Sequence, residues 1–286
     1  MHVCTCKQIK MMKHKKRHFL VVAAASRGAR FFIKKALRQG HDVTALCRAA
    51  DDKAALKRMN NVLENTNLTP NGIAVKHTAG KLKAKNSNIL KPETYAQLLR
   101  EDESIDAICC FVGVTKVKDM INAKNMLYTD TIQAIVDGQR NSRWVETFYH
   151  GSVGTEGVPG QSITAWPANY NRLSNLVQVI FPIFKNVTKS EAILAKAQSE
   201  GLNFIIFRPA ALKDTPAKRQ YGYVFDTTAL DSEELPLRYA KRTISREDTA
   251  EEILRVATLP NDERTQWYGH GVYLVDMKDK YLKNNK

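Results

Sequence analysis

The sequence predicts an α/β fold in which a parallel sheet carries helices on both faces. Short apolar runs alternate with amphipathic segments along the 286 residues, an order typical of parallel strands joined by crossover helices. Hydrophobic residues make up 43% of the chain and charged residues 26%, as in ordinary globular proteins. No linker or repeat divides the chain, so we expect a single core.

Four strands and three helices are predicted in the first half. The strands are 18–25, 41–48, 72–80 and 105–113, and the helices are 29–40, 51–66 and 92–101. The apolar residues of the first helix share one face, and Gly40 provides its stop. The fourth strand is continuously apolar, which predicts burial on both faces.

The second half repeats this alternation. The strands are 146–154, 203–212 and 271–277, and the helices are 118–139, 168–181, 187–200 and 245–259. Ser245, with Asp248 three residues on, forms a variant capping box for the last helix. We expect one domain over 18–286, with a small substrate lobe from 155–185 and 213–243. Its apolar wall would contain Trp166, Tyr170, Phe181, Tyr221, Tyr223 and Phe225.

The charge distribution is uneven. The formal net charge is +15, and residues 1–41 contain eleven Lys and Arg but no Asp or Glu. Residues 1–17 are expected to form a flexible basic arm. A basic surface of this kind attracts a polyanion or a protein partner, or is simply solvated.

The cysteines bear on the compartment and on metal binding, and the length of the apolar runs bears on membrane insertion. The five cysteines form no even framework, so reduced thiols in the cytoplasm are expected, with the mitochondrion as the alternative. His2, Cys4 and Cys6 lack a second ligand pair, and no metal site is expected. The apolar runs are shorter than a membrane span, and the oligomeric state stays open.

The segment VVAAASRGAR (21–30) joins the first strand to the first helix. Such a turn binds phosphate because the first amides of a helix point outward unpaired and the helix dipole favours negative charge. The candidate phosphate-binding residues are Ala25, Ser26, Arg27 and Gly28. Only Gly28 remains of the usual glycines: one register places the three glycine positions at Ala23, Ser26 and Ala29, and another at Ala24, Gly28 and Arg30.

Arg48 ends the second strand. At this place a dinucleotide-binding fold carries an acid that binds the adenosine ribose, or an Arg that accommodates a 2′-phosphate. A guanidinium suits phosphate. Arg27 offers a second contact, so the sequence favours NADP(H) over NAD(H), unless both arginines are merely solvated.

Several segments resemble the short-chain dehydrogenase/reductase superfamily, and most closely its atypical NmrA-like, NAD(P)H-binding branch. They are AASRGAR, ALRQGHDVTALCR, AICCFVG, FYHGSVG, EGLNFIIFRPAAL and ISREDTAEEIL, within residues 18–276. The resemblance implies a Rossmann-like doubly wound sheet and places Gly113 beside the cofactor and Ser152 near the nicotinamide. It also identifies the Arg-Pro segment, Arg208 and Pro209, with Pro209 at the cofactor site.

The sequence departs from the family at the expected catalytic positions. It contains no Y-x-x-x-K, in which a lysine lowers the pKa of a tyrosine proton donor. Lys189 occupies the lysine place, and Lys81 stands where an aspartate usually follows the glycine of the third-strand loop. Tyr149, His150 and Tyr170 are candidate proton donors, of which His150 is favoured; Ser152 and Lys189 complete the predicted catalytic set.

Two functions are therefore open. The first is an NADP(H)-dependent oxidoreductase that acts on a small carbonyl, enone or quinone-like substrate. The second is a non-catalytic nucleotide sensor or scaffold subunit that binds a polyanionic or protein partner. The missing tyrosine, the lost glycines and the net charge of +15 favour the second.

Overall fold

A computed structural model describes residues 15–70, 79–114, 117–122, 124–158, 181–224 and 243–277. Its strands are β1 (His18–Val22), β2 (Asp42–Cys47), β3 (Leu82–Asn86), β4 (Ala107–Cys110), β5 (Glu146–His150), β6 (Phe204–Pro209), β7 (Ala211–Lys213), β8 (Tyr221–Val224), β9 (Thr243–Ser245) and β10 (His270–Asp276). Its helices are α1 (Ala29–Arg38), α2 (Asp52–Glu64), α3 (Pro92–Glu101), α4 (Val117–Met120), α5 (Leu127–Arg140), α6 (Ile183–Gln198), α7 (Arg246–Ala257) and α8 (Asn261–Thr265).

The central sheet has eight strands in the order β3-β2-β1-β4-β5-β6-β10-β8. All neighbours pair in parallel except β8, which is antiparallel to β10. A separate small sheet pairs β7 with β9. The order of the first strands is that of a Rossmann-like doubly wound fold, which confirms the predicted class.

Two apolar cores cover the two faces of the sheet. One lies under α1, α2 and α7 and includes Phe19, Phe32 and Phe148. The other lies under α3, α5 and α6 and includes Tyr95 and Tyr149. Strand β4 is buried along its whole length, as its continuous apolarity predicts.

Two helices begin with a side-chain N-cap. The Asp51 carboxylate accepts a hydrogen bond from the Ala54 amide at the start of α2, and Ser245 Oγ accepts from the Asp248 amide at the start of α7. Ser245 is therefore confirmed as the N-cap, while the Asp248 carboxylate accepts from Ser245 Oγ and from the Lys218 and Arg219 amides. The segment predicted as one helix over 118–139 forms two, α4 and α5.

The sequence prediction missed one edge strand. Strand β3 is Leu82–Asn86, whereas residues 72–78 of the strand predicted over 72–80 lie outside the described residues. Because β3 is an edge strand, only Ala84 is fully buried and its sequence is mostly polar. Such a strand lacks the apolar run on which the prediction relied.

Arg17, the last residue of the predicted basic arm, belongs to the folded domain. The Arg17 side chain is buried and donates hydrogen bonds to the Ala257 and Asp106 carbonyls and to Glu146. The folded domain therefore includes Arg17, while residues 1–14 lie outside the described part of the chain.

Candidate functional site

A groove of about 1130 Å³ lies at the carboxyl ends of the first four strands. Strand β1 lies between β2 and β4, so the chain reverses its direction of strand addition at this point. Open α/β sheets bind ligands at such a switch point. The lining residues are Ala23, Ala25, Ser26, Arg27, Leu46, Cys47, Arg48, Arg58, Asn86, Ser87, Asn88, Ile89, Leu90, Gly113 and Leu127.

The turn after β1 has a left-handed residue at its first position. Ala23 has a φ of 55°, a conformation that glycine adopts without penalty and that costs other residues roughly 1–2 kcal/mol. The Ala23 carbonyl accepts from the Ser26 amide, and the Ala24 amide donates to the Leu46 carbonyl. Of the two possible registers, the one that places the first glycine position at Ala23 therefore agrees with the backbone. Ala23 has the left-handed conformation that a glycine would adopt there.

The same turn keeps amides available for an anion. Ser26 Oγ accepts a hydrogen bond from the Ala29 amide, whereas the amides of Ala25, Arg27 and Gly28 donate to no group in the described residues. The φ of Gly28 is −79°, which any residue adopts. Its missing side chain leaves room beside Phe111, since a Cβ there would lie 3.4 Å from Phe111 Cδ1.

Two arginines line the groove at the end of β2. Arg48 is exposed, and Arg58 of α2 donates from Nη1 to the Arg48 carbonyl at 2.6 Å. The sequence analysis did not identify Arg58. Its position three residues after Ala55, which packs against the end of β2, could have indicated that it lies near Arg48. Ala55 is buried against Cys47, whose Sγ lies 3.8 Å from the Ala55 carbonyl.

The loop after β3 contributes Asn86, Ser87 and Asn88, which sequence reasoning also missed. Asn86 Oδ1 accepts from the Ala49 amide at 2.9 Å, so this side chain joins the ends of β2 and β3. Lys81 does not occupy this loop. It precedes β3. Its amide donates to the Asp42 carboxylate and its carbonyl accepts from the Val43 amide, at the amino end of β2 and away from the groove.

Gly113 lies in the groove beyond the end of β4. A Cβ there would lie 3.6 Å from the Tyr128 hydroxyl oxygen, which accepts from the Val114 amide at 3.2 Å. Burial raises the pKa of Tyr128, so its phenol stays protonated at neutral pH. Tyr128 is a further polar group that the sequence reading missed, because no motif marks it.

The end of β5 carries the predicted His150 and Ser152, neither of which lines the groove formed by the described residues. The His150 ring lies 5.7 Å from the Phe111 ring. Burial, aided by the charge of Arg246, lowers the pKa of His150 to about 4, so the imidazole is neutral at pH 7. Ser152 Oγ donates to the Val153 carbonyl at 3.3 Å.

The remaining candidates lie apart from the groove. Lys189 is exposed on α6, and Pro209 is buried at the end of β6, where its carbonyl accepts from the Val153 amide. Tyr149 is buried in the core with its hydroxyl 2.9 Å from Ser190 Oγ, and burial raises its pKa well above the usual range. Tyr149 therefore does not face a cleft. Tyr170 lies outside the described residues.

The predicted lobe falls largely outside the described residues, including Trp166 and Phe225. Its described aromatic residues behave differently. Tyr221 is buried and donates to Glu252 Oε2 at 2.9 Å, and the Tyr223 ring lies 5.0 Å from the Trp267 ring. Both belong to β8 of the central sheet, so they contribute to its packing.

The described ranges contain neither a cluster of metal ligands nor a membrane-spanning helix. There, no three His, Cys, Asp or Glu side chains converge as metal ligands. No described helix combines the length and the apolar character of a membrane span. The described cysteines, Cys47, Cys109 and Cys110, are free and buried.

No protein-family model and no curated protein sequence matches the chain. Solved structures do match. An oxidoreductase from Lactococcus lactis is 14% identical with a TM-score of 0.57, over 93% of this chain and 95% of that one. An anaerobillin reductase from Escherichia coli O157:H7 is 15% identical with a TM-score of 0.57, over 91% and 97%.

A third match is a protein proposed to be an NADH-flavin reductase from Streptococcus pneumoniae TIGR4. It is 14% identical with a TM-score of 0.54, over 91% of this chain and 99% of that one. At these identities the likeness concerns the fold. The chain has the Rossmann-like α/β architecture of these proteins.

Proposed function

We propose that the chain binds NADP(H) in this groove and acts as an oxidoreductase on a small carbonyl, enone or quinone-like substrate. The observation that carries the proposal is the charge of the groove. Its described lining contains Arg27, Arg48 and Arg58 and no carboxylate. A site for the ribose of NAD(H) offers an acid at the end of β2, whereas arginines there suit a 2′-phosphate.

The nearest acids of this segment are committed to other groups. Asp51 caps α2, and Asp52 bonds to the Asn86 amide and to Lys85 Nζ. Neither carboxylate competes for a ribose hydroxyl in the groove. Arg48 and Arg58 therefore determine the electrostatics at the end of β2, which supports NADP(H) as the ligand.

The turn after β1 fits the pyrophosphate of such a cofactor. The amides of Ala25, Arg27 and Gly28 supply donors at the start of α1, where the helix dipole adds positive potential. Gly113 leaves space at the other end of the groove, near the Tyr128 phenol. The groove thus offers donors at one end and open space at the other.

Bound NADPH would supply the hydride, and the residues of this chain would bind, orient and handle the proton. We propose Ser152 and the neutral His150 as groups that contact the substrate from the end of β5. The Tyr128 phenol is a further proton donor, since it stays protonated beside Gly113. Lys189 is exposed on α6, so its predicted role gains no support from its position. The structural neighbours described as reductases support the reaction class.

A second function is favoured by one observation. His150, Ser152 and Lys189 do not line the groove, so the chain is also suited to sense NADP(H) without turnover. The two functions share the cofactor and differ in catalysis. A screen of carbonyl, enone and quinone compounds for NADPH oxidation separates them.

The test of cofactor binding is a titration with NADPH and NADH. We expect wild-type protein to prefer NADPH. Arg48→Ala and Arg58→Ala should each weaken NADPH binding by about five- to thirtyfold, or about 1–2 kcal/mol, and leave NADH binding nearly unchanged. Arg38→Ala is the matched control, because Arg38 is exposed on α1 away from the groove. Equal affinity for both cofactors in every variant would refute the assignment.

A further inference from the structure

A cluster of three arginines and one aspartate lies beside the groove. Arg27 Nη1 is 3.0 Å from Asp214 Oδ2, and Arg246 Nη1 is 2.9 Å from Asp214 Oδ1. Arg30 follows Arg27 by three residues, in the first turn of α1, and its charge acts on Arg246. The four residues come from the turn after β1, the first turn of α1, the segment after β7 and the start of α7.

The cluster carries more positive than negative charge. One carboxylate serves both Arg27 and Arg246. The Arg30 side chain makes no hydrogen bond or ion pair within the described residues. Its guanidinium lies over the Phe31 ring, with Cζ 5.2 Å from the ring centroid, and its Nε is sealed from solvent without a hydrogen-bond acceptor. A sealed donor without an acceptor costs roughly 1–3 kcal/mol, and more when the group is charged.

The helix termini add to this cost. Arg30 is in the first turn of α1, which has no acidic residue, and Arg246 is the first residue of α7. Positive charge is unfavourable at a helix N-terminus. Burial and the charges of Arg27 and Arg30 lower the pKa of Arg246, although Asp214 opposes them. An oxyanion held by the three guanidinium groups would reduce the repulsion between them and the unfavourable positive charge at the two helix N-termini. It would also give Arg30 an acceptor.

The cluster adjoins the groove through one of its members. Arg27 lines the groove, whereas Arg30 and Arg246 do not. The charge of Arg246 acts on His150, whose ring lies 5.7 Å from that of Phe111. Phe111 in turn borders Gly28 of the turn. An anion held by Arg30 and Arg246 would therefore lie on the substrate side, next to the residues proposed to contact the substrate.

We propose that Arg27, Arg30 and Arg246 form an oxyanion site that binds a carboxylate or phosphate group of the substrate, with Asp214 as the internal counter-ion that the ligand replaces. That the anion belongs to a substrate rests on the proposed function. The binding of an oxyanion does not, because it depends only on the cluster.

The test is a titration with inorganic phosphate, and separately with acetate, followed by the NMR signals of the His150 ring. We expect a saturable shift in the wild-type protein. Arg246→Gln should weaken binding at least tenfold, and Arg38→Gln, which removes the same charge from the exposed side of α1, should not. Asp214→Asn should bind the probe several-fold more tightly, because it removes the competing carboxylate. Asp214 is 43% exposed, so this variant should fold.

Measurements of NADPH binding distinguish the oxyanion site from the proposed cofactor site. The titration is repeated with saturating NADPH, and NADPH affinity is measured for Arg246→Gln. Probe binding that persists with NADPH, with NADPH affinity unchanged within twofold, supports a substrate-side site. A tenfold loss of NADPH affinity would assign the cluster to the cofactor and overturn the proposal.

Two further outcomes are decisive. Probe binding that depends on Arg246 while neither NADPH nor NADH binds would refute the proposed function and leave the oxyanion site standing. A His150 signal that does not respond to either probe, or that responds equally in Arg246→Gln and wild type, would refute the oxyanion site.

Discussion

Glu191 of α6 and Arg208 of β6 form an ion pair whose two side chains are 0% exposed. The pair is bidentate, with Arg208 Nε 3.1 Å from Oε1 and Nη2 2.7 Å from Oε2. Glu191 also accepts from the Gly157 amide and from Thr155 Oγ1. Gly271 makes room for the guanidinium, since a Cβ there would lie 2.2 Å from Arg208 Cζ. The pair therefore connects α6, β6 and the loop that follows Ser152.

Glu191→Gln should destabilise the protein strongly. It leaves the buried Arg208 charge without its counter-ion, a loss of about 3–5 kcal/mol for buried pairs. Urea unfolding at pH 7 measures the change. Glu200→Gln is the control, because its ion pair with Arg140 is about one-third exposed and exposed pairs contribute little to stability. Equal effects of the two variants would contradict the structure.

Ala23→Gly should stabilise the protein. Glycine removes the penalty of the left-handed conformation at φ 55°, and the net gain should be about 1 kcal/mol after the loss of a methyl group. Ala25→Gly, in the same turn without a positive φ, should give no gain. Thermal unfolding measures both variants. A lower melting temperature for Ala23→Gly would mean that Ala23 does not carry this strain.

Glu146 should make stability depend on acid pH. Burial favours its neutral form, but Arg17, Tyr268 and Arg264 together hold the pKa of Glu146 below its usual range. A carboxyl whose pKa is lower in the folded state stabilises the fold above its unfolded pKa, about 4.3. That contribution is lost as the pH falls through the folded pKa.

The measurement is urea unfolding of wild type and Glu146→Gln between pH 7 and pH 3. The wild type should be more stable at pH 7, and its advantage should shrink below about pH 4.3. Glu263→Gln is an exposed control without a resolved partner in the described residues. A difference between wild type and Glu146→Gln that stays constant with pH would contradict the argument.

His150 should remain neutral throughout the physiological range. Burial lowers its pKa to about 4, and the charge of Arg246 contributes. Because the folded pKa lies below the unfolded value of about 6.5, this group costs stability as the pH falls from about 6.5 toward 4. An NMR titration of the ring should show no protonation above pH 5. Arg246→Gln should raise the pKa of His150, and a lowered pKa in that variant would be inconsistent with this charge effect.

Much of the fold follows from the sequence because local patterns and tertiary structure agree. The apolar run of β4 predicts a strand buried on both faces, and Ser245 with Asp248 predicts the start of α7. The turn after β1 and Arg48 were also identified from sequence order. These features lie next to one another along the chain, so neighbouring residues are enough to reveal them.

The rest was decided by contacts between distant segments. Strand β3 is an edge strand without an apolar run, and Arg58 and Tyr128 enter the site only because α2 and α5 pack against the sheet. The convergence of Arg27 and Arg246 on Asp214 joins parts of the chain separated by more than 180 residues. The sequence by itself determined the alternation of strands and helices and the place of the turn after β1, because hydrophobic periodicity and turn chemistry are local. Only the tertiary structure decided which charged groups meet, because that depends on how the sheet brings its strand ends together.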